Sequence, residues 1–201
     1  MRITEITPVD KTRVRVSFDD AKELVLYKSE CRKLGLEEQA DISDAQYGHI
    51  YYEIVGKRAK KRALHLLEKM DRTEEQLRRK LLEGQYPREL ADEAVAYVRS
   101  YRYIDDERYA RTFIRLNQER RSAARMKMDL LAKGVAADII EAALEEELET
   151  APETLIQRLL EKKHFEPQAA DARETARMYQ YLLRRGFRSQ EIMHVLKADF
   201  T

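Results

Sequence analysis

Cysteine, glycine and proline are all scarce in this chain, and each scarcity excludes a class of protein. The one cysteine, Cys31, has no partner for an internal disulfide. Six glycines and four prolines in 201 residues are too few turn-forming residues for the many short strands of an all-β sandwich. No uncharged run approaches the roughly 18 apolar residues of a membrane span, and the N-terminus lacks the apolar core of a secretion signal. We therefore expect a soluble, cytoplasmic protein that does not bind membranes.

An excess of charge of either sign is also missing. The 38 lysines and arginines nearly balance the 37 aspartates and glutamates, for a net charge of +1, so the molecule as a whole attracts nucleic acid only weakly. Charge is nevertheless segregated along the chain, because residues 51–104 hold 13 basic and 9 acidic residues whereas residues 105–150 hold 8 and 11. Any electrostatic attraction to a partner must therefore be local.

The N-terminal residues differ in pattern from the rest of the chain. Apolar and polar residues alternate over residues 13–18, and the apolar run LVLY at 24–27 follows a turn-like DDAKE. This pattern is typical of a β-hairpin, with residues 3–6 as a candidate third strand. Because so small a sheet buries too little surface to be stable alone, we expect it to pack on a helix with the sequence SECRKLGL, which ends at Gly35.

Helix signals dominate from Ser43 onward. Ser43 with Gln46, and Thr73 with Gln76, have the spacing of a capping box at a helix start. Later helices are predicted to end at glycines, namely Gly84, Gly134 and Gly186. The sequence therefore predicts a mainly helical chain after the hairpin.

One apolar pattern occurs three times, in residues 75–95, 124–144 and 176–196. Its four apolar positions are Leu77, Leu81, Tyr86 and Val95 in the first copy, Met126, Leu130, Val135 and Leu144 in the second, and Met178, Leu182, Phe187 and Leu196 in the third. An amphipathic run precedes each copy, so each unit is predicted to contain three helices. A unit of roughly 50 residues has a thin core and is expected to stack on its neighbours. The alternative is a generic helical array whose spacing agrees by coincidence.

These patterns predict a mainly α-helical fold of four segments. Residues 1–42 form a small N-terminal β-hairpin and a short helix, and residues 43–104, 105–150 and 151–201 form tandem three-helix repeats. We expect the repeats to form an elongated, curved array.

Several strings in these repeats resemble the RecX family of regulatory proteins of bacterial recombination: RALHLLEKMDRTEEQLRRKLLEGQY, YIDDERYARTFI, LLAKGV and YLLRRGF. The resemblance covers most of residues 60–196, and YIDDERYA is its most specific part. The N-terminal hairpin resembles an extension of some members. One departure is Gly84–Gln85, where members usually have a Lys-Gly pair before the aromatic residue, so one basic side chain is missing and the helix stop is weaker.

The resemblance implies a non-enzymatic protein that binds RecA, the strand-exchange ATPase, when RecA is polymerised on single-stranded DNA. It implies a modulator, mostly an inhibitor, of ATP hydrolysis and strand exchange in homologous recombination, DNA repair and the SOS response. It also implies elongated helical modules that lie in the filament groove. We expect a monomer that binds DNA directly only weakly.

Groupings of residues that could support catalysis are scarce. The four histidines have unrelated spacings, and no pair of His or Cys residues has metal-ligand spacing on one helix face. Adjacent Asp105 and Asp106 are compatible with acid–base chemistry or a magnesium site. The favoured interpretation is that Asp105 caps a helix over residues 106–117 and Asp106 lies near its positive end. We therefore expect no catalytic residue, metal or cofactor.

Basic residues recur at comparable places in the three repeats. On a helical wheel Arg78 lies within an apolar arc, so we expect its guanidinium to emerge between helices and to meet a phosphate or carboxylate bidentately. A solvated helix face is the alternative for each cluster. The candidate partner- or DNA-binding residues are Arg78, Arg79, Lys80, Arg120, Arg121, Arg125, Lys127, Arg184, Arg185 and Arg188.

Two further features have competing interpretations. Tyr101, Tyr103 and Tyr109 are interpreted as packing between units, with stacking on nucleic-acid bases as the alternative. The acidic run 141–149 is interpreted as a solvated helix face, with a docking strip for basic groups of RecA as the alternative. For the whole chain, the rival hypotheses are a helical module that competes with RecA for DNA and an unrelated helical scaffold.

Overall fold

The computed structural model describes residues 1–148 and 150–196. Its backbone divides into two compact units, Met1–Asp105 and Asp106–Thr201. Glu149 of the predicted acidic run, and residues 197–201 of the predicted third repeat, lie outside the described residues.

The N-terminal sheet has three antiparallel strands. They are β1 (Ile3–Pro8), β2 (Arg13–Phe18) and β3 (Glu23–Tyr27), hydrogen-bonded in that order. Val16 at the centre lies opposite Ile6 on β1 and Leu24 on β3. The predicted hairpin is confirmed, and the candidate third strand is present.

One face of the sheet is buried because apolar residues alternate along β2. Helix α1 (Lys28–Leu34) follows β3 directly and ends at Gly35, whose φ of +61° is the left-handed conformation that favours glycine. Cys31 on α1 joins the core beneath the sheet. The predicted supporting helix is therefore confirmed.

A long helical run supplies the rest of that core. Helix α2 (Asp44–Gly48), a π-helical segment (His49–Gly56) and helix α3 (Lys57–Lys69) follow one another without a break. The run begins at the predicted capping box, where the Ser43 hydroxyl accepts a 3.2 Å hydrogen bond from the Gln46 amide. Ile50 and Val55 of the π-helical segment pack under the sheet.

Helices α3, α4 (Glu74–Glu83) and α5 (Arg88–Ser100) form the first three-helix unit, with Leu77 and Leu81 fully buried between them. The predicted capping box at Thr73 begins α4. Gly84 ends α4 as predicted, but it has a φ of −74°. The left-handed residue is instead Gln85, with a φ of +64°.

The second unit of the chain contains two further sets of three helices. Helices α6 (Asp106–Asn117), α7 (Ala123–Ala132) and α8 (Ala137–Glu147) share one apolar core. Helices α9 (Pro152–Lys162), α10 (Ala172–Arg184) and α11 (Ser189–Leu196) share another. Gly134 and Gly186, which follow α7 and α10, have φ values of +87° and +88°. The mainly helical fold with three three-helix units is confirmed.

None of the described helices combines the length and hydropathy that a membrane crossing requires.

Candidate functional site

The predicted site residue Arg78 lies between α4 and α5 and meets two carboxylates of its own chain. Its Nε is 2.5 Å from Oδ1 of Asp92 on α5, and its Nη1 is 2.8 Å from Oε2 of Glu75 on α4. These hydrogen bonds raise the pKa of Arg78, and the one from Arg78 is the main cause of a lowered pKa at Glu75. The predicted emergence between helices is observed, but the guanidinium binds two different carboxylates through one nitrogen each instead of one carboxylate bidentately. It thereby links two helices of the fold.

Arg79 and Lys80 are more exposed but also have carboxylate partners. Arg79 Nε lies 3.2 Å from Glu75, and Lys80 Nζ lies 2.5 Å from Glu83. Each of the three predicted cations on α4 is therefore neutralised within Met1–Asp105. A phosphate or an acidic partner would have to compete with these internal pairs.

In the second predicted group, around the start of α7, three of the four cations pair with carboxylates. Arg121 and Arg125 both pair with the half-buried Asp129, Arg125 at 3.2 Å. Lys127 Nζ lies 2.6 Å from Glu141. Arg120 is exposed, and its guanidinium forms no ion pair or hydrogen bond with any described residue.

The third predicted group, around the end of α10, has no internal ion pair with the described residues. The Arg185 guanidinium lies 4.6 Å from the centre of the Tyr181 ring. Arg184 and Arg188 are exposed, and their guanidinium groups have no carboxylate partner in the described part of the chain. These two arginines are therefore available to an anionic partner without loss of an internal contact.

The second and third groups meet at one place. The Ser122 amide donates a 3.1 Å hydrogen bond to the Arg185 carbonyl, and the Arg185 guanidinium donates to the Arg120 carbonyl. At this place Arg121 of the second group and Arg188 of the third line one cavity of about 290 Å³. Gly186 packs so closely that an added Cβ would lie 2.6 Å from Cβ of Arg125.

We call this assembly the joint cluster; its members are Arg120, Arg121, Arg125, Arg185 and Arg188. The carboxylate of Asp129 is shared by two of the five, so positive charge is in excess at the cluster. Guanidinium groups bind phosphates and carboxylates with paired hydrogen bonds. Chemically, the cluster suits an anionic partner.

The sequence did not reveal that the three repeats differ in how many of their lysines and arginines form internal ion pairs. Eight lysines and arginines lie in residues 151–196, and among the described residues none of them forms an ion pair. Acidic neighbours at helical spacing give no signal for this difference, because Arg158, Arg177 and Arg188 each have a glutamate three residues away. The pairs between helices, such as Arg78 with Asp92, have no signal in the sequence either.

The three predicted tyrosines differ in exposure. Tyr101 is 61% exposed and Tyr103 is 55% exposed, so neither packs in the apolar core of Met1–Asp105. Tyr109 is half-buried against the apolar core of the second repeat. Among the described residues, no group of three or more His, Cys, Asp or Glu side chains is arranged to hold a metal ion.

The chain matches models of all three RecX domains: the first three-helix domain over residues 59–97, the second over 105–144 and the third over 152–196. It is 35% identical over 167 residues to regulatory protein RecX of Caldanaerobacter subterraneus subsp. tengcongensis. The aligned residues are 82% of this chain and 81% of that protein. It is 33% identical over 138 residues to regulatory protein RecX of Actinobacillus pleuropneumoniae serotype 5b, covering 68% of this chain and 89% of that protein.

A crystal structure of a regulatory protein RecX has a similar fold. Its TM-score is 0.61 at 22% sequence identity, over 98% of this chain and 99% of that one. At this low sequence identity the crystal structure supports the fold alone. The two relatives named above are similar to this chain in sequence. The chain therefore belongs to the RecX family of regulatory proteins.

Proposed function

We propose that this chain is a non-enzymatic regulator of the recombinase RecA. It binds the RecA filament on single-stranded DNA and modulates, chiefly by inhibition, the ATPase and strand-exchange activities of the filament. The observation that carries this proposal is the match of all three helical units to RecX domain models. Through this regulation the chain takes part in homologous recombination, DNA repair and the SOS response. In this proposal it acts in the cytoplasm as a monomer and needs no cofactor.

The unpaired cations support this proposal. Arg120, Arg184 and Arg188 form no ion pair in the described part of the chain, so they gain a partner on binding instead of exchanging one. The desolvation and rearrangement that weaken exposed ion pairs are then smaller. Acidic side chains of RecA and phosphates of the bound DNA are both suitable partners.

The repeated architecture supports binding to a polymer. We propose that the segments 1–42, 43–104, 105–150 and 151–201 are the structural units, and that the three helical segments contact successive RecA protomers. Several weak contacts on one chain raise the overall affinity, because each later contact forms at a high effective concentration. The filament shifts toward one state only if the chain binds that state better than the other.

The test is RecA ATP hydrolysis on single-stranded DNA, measured with increasing amounts of this protein. We expect the rate to fall as the protein saturates the filament. Unchanged hydrolysis at saturating binding contradicts the modulatory function.

The second candidate function is a DNA-binding module that competes with RecA for DNA, and the excess of arginine at the joint cluster favours it. Binding to the RecA–DNA filament, to free RecA and to naked DNA at one salt concentration separates the two. If naked DNA is bound as tightly as the filament, with a steep loss of affinity as salt is raised, the competitor function is correct.

A further inference from the structure

The turn that follows α5 exposes an arginine between two tyrosines. Tyr101 and Tyr103 are 61% and 55% exposed, and Arg102 between them is also exposed. The Arg102 side chain forms no ion pair or hydrogen bond with any described residue. Tyrosine side chains are on average partly buried, so two exposed tyrosines on either side of an exposed, unpaired arginine in the sequence form a candidate binding surface.

This turn is held firmly by the fold. The Tyr103 amide donates a 3.0 Å hydrogen bond to the Val98 carbonyl, and the Arg102 amide donates a 2.8 Å hydrogen bond to the Arg99 carbonyl. Arg102 has a φ of +58°, a conformation that costs a residue other than glycine about 1 to 2 kcal/mol. Ile104, the next residue, is buried in the core. The backbone that carries the side chains of Tyr101, Arg102 and Tyr103 is therefore fixed by hydrogen bonds and by the burial of Ile104.

The three rings form a row, and a cation lies beside one end of it. The centre of the Tyr101 ring lies 5.0 Å from that of the half-buried Tyr97 and 6.3 Å from that of Tyr103. The planes of Tyr101 and Tyr103 are inclined by 30°. Lys60 Nζ lies 5.6 Å from the centre of the Tyr97 ring, and Arg102 lies between Tyr101 and Tyr103 in sequence. We call Tyr97, Tyr101 and Tyr103 the tyrosine row.

Aromatic rings next to cations are the combination that binds unpaired nucleotides. Every base has a flat face that stacks on an aromatic ring, and its phosphate attracts the neighbouring cation. In a duplex these faces are covered by neighbouring base pairs. A protein partner is less suited to the site, because no large aliphatic side chain is exposed among residues 97–103 and the cores of protein interfaces are apolar.

We propose that Tyr101, Arg102 and Tyr103 form a stacking site for the bases of a single-stranded nucleic acid. Tyr101 and Tyr103 stack on bases, and Arg102 binds a phosphate of the same strand. The site acts on the nucleic acid directly, so it gives the second candidate function, DNA binding, a specific site and does not depend on the regulation of RecA.

The experiment is fluorescence anisotropy of a labelled oligothymidylate with the full chain, without RecA. Replacement of both rings, Tyr101→Ala with Tyr103→Ala, is expected to weaken binding by about 5- to 150-fold per ring, as for other stacked bases. Tyr101→Phe with Tyr103→Phe keeps both rings and is expected to bind within about twofold of the unchanged chain. Arg102→Ala is expected to weaken binding and to lower its salt dependence.

Two controls separate stacking from charge and from damage to the fold. Tyr52 is 55% exposed, the same as Tyr103, and Tyr52→Ala is expected to leave binding unchanged. An abasic strand of equal length keeps the phosphates but lacks the bases, so the alanine and phenylalanine variants should bind it equally. Circular dichroism of each variant checks the helical content.

Three results would overturn the proposal: no binding of oligothymidylate by the unchanged chain at low salt, equal binding by the alanine and phenylalanine variants, or equal affinity for the abasic strand. If the alanine variant binds DNA normally but no longer binds RecA, the tyrosine row is a protein-binding surface instead. None of these results decides whether the chain regulates RecA, because ATP hydrolysis by the filament is measured separately.

Discussion

The backbone amide of Ser122 donates a hydrogen bond to the carbonyl oxygen of Arg185 over 3.1 Å. Ser122 is the N-cap of α7 and Arg185 is the C-cap of α10, so this bond connects the start of one helix to the end of another in the next repeat. The positive end of one helix dipole thus lies next to the negative end of the other. Gly186 follows Arg185 and packs against the same place.

The close packing of Gly186 predicts a large cost for Gly186→Ala. Its φ is +88°, and an added Cβ would lie 2.6 Å from both Arg125 Cβ and Ser122 Oγ. The left-handed backbone costs alanine about 1 to 2 kcal/mol, and overpacking adds about 1 to 3 kcal/mol. Urea unfolding followed by circular dichroism measures the loss.

Gly35→Ala is the matched control for that substitution. Gly35 also has a left-handed φ, of +61°, but nothing lies within 4 Å of its added Cβ. It should therefore show only the backbone cost. Equal losses of unfolding free energy for the two variants would mean that the packing of Gly186 against Arg125 and Ser122 tolerates the extra carbon.

Gln85→Gly is expected to stabilise the protein. Gln85 has a φ of +64°, where the corresponding residues of the other repeats are Gly134 and Gly186. Glycine relieves a left-handed cost of about 1 to 2 kcal/mol, and its greater freedom in the unfolded chain removes part of the gain. We expect a net gain of about 0.5 to 1 kcal/mol in the free energy of unfolding. Gln85→Ala keeps the strain and should give no gain, so a gain for both variants would assign the effect to the lost side chain.

Arg78→Ala is expected to destabilise the first repeat more than Arg79→Ala. Arg78 links α4 to Asp92 on α5 and is 25% exposed, whereas Arg79 is 51% exposed and pairs with Glu75 along its own helix. We expect losses of about 1 to 2 kcal/mol for Arg78→Ala and at most about 0.5 kcal/mol for Arg79→Ala, measured by urea unfolding.

The pH dependence of stability offers a second check of the role of Arg78. The pKa of Glu75 is lowered in the folded protein, mainly by its hydrogen bond with Arg78. A depressed carboxyl pKa contributes stability above the unfolded-state pKa, and that contribution is lost as pH falls through the folded-state value. The unchanged protein should thus lose more stability than Arg78→Ala on acidification below the usual glutamate range. Parallel curves for the two proteins would contradict this.

Arg58→Ala is expected to loosen the contact between the N-terminal sheet and α3. Arg58 Nη1 lies 2.6 Å from Glu30 Oε2, its Nη2 lies 2.5 Å from the Val25 carbonyl oxygen, and its guanidinium packs over the Tyr27 ring at 4.9 Å. Loss of these part-buried contacts should cost about 2 to 3 kcal/mol. The adjacent Lys57, which is 73% exposed, is the control, and Lys57→Ala should change stability by less than about 0.5 kcal/mol.

The proposed binding role of the unpaired arginines predicts a difference between two double variants. Arg184→Ala with Arg188→Ala should weaken binding to the RecA–DNA filament by at least about tenfold, since about 1.4 kcal/mol of lost contacts is a factor of ten. Arg79→Ala with Lys80→Ala removes as much charge from internally paired residues and should have a smaller effect. Sedimentation with the filament at fixed salt measures both, and equal effects would mean that net charge alone controls binding.

Local signals in the sequence determined most of the secondary structure. The alternation over residues 13–18 produced a strand, and the capping boxes at Ser43 and Thr73 produced helix starts at the expected residues. The apolar positions repeated in each unit produced three three-helix cores. These features were predictable because helix caps and hydrophobic periodicity act between residues a few positions apart.

Only the tertiary structure decided which charged and aromatic side chains are available to a partner. Arg78 reaches Asp92 on another helix, the loop at Ser122 meets the end of α10 at Arg185, and Tyr101 stays exposed although its neighbourhood is rich in aromatic residues. Each of these outcomes depends on how separate helices pack, and packing brings together residues whose separation in sequence carries no periodic signal. The sequence by itself therefore determined the repeats and the positions of their cations, and the fold decided which cations it neutralises.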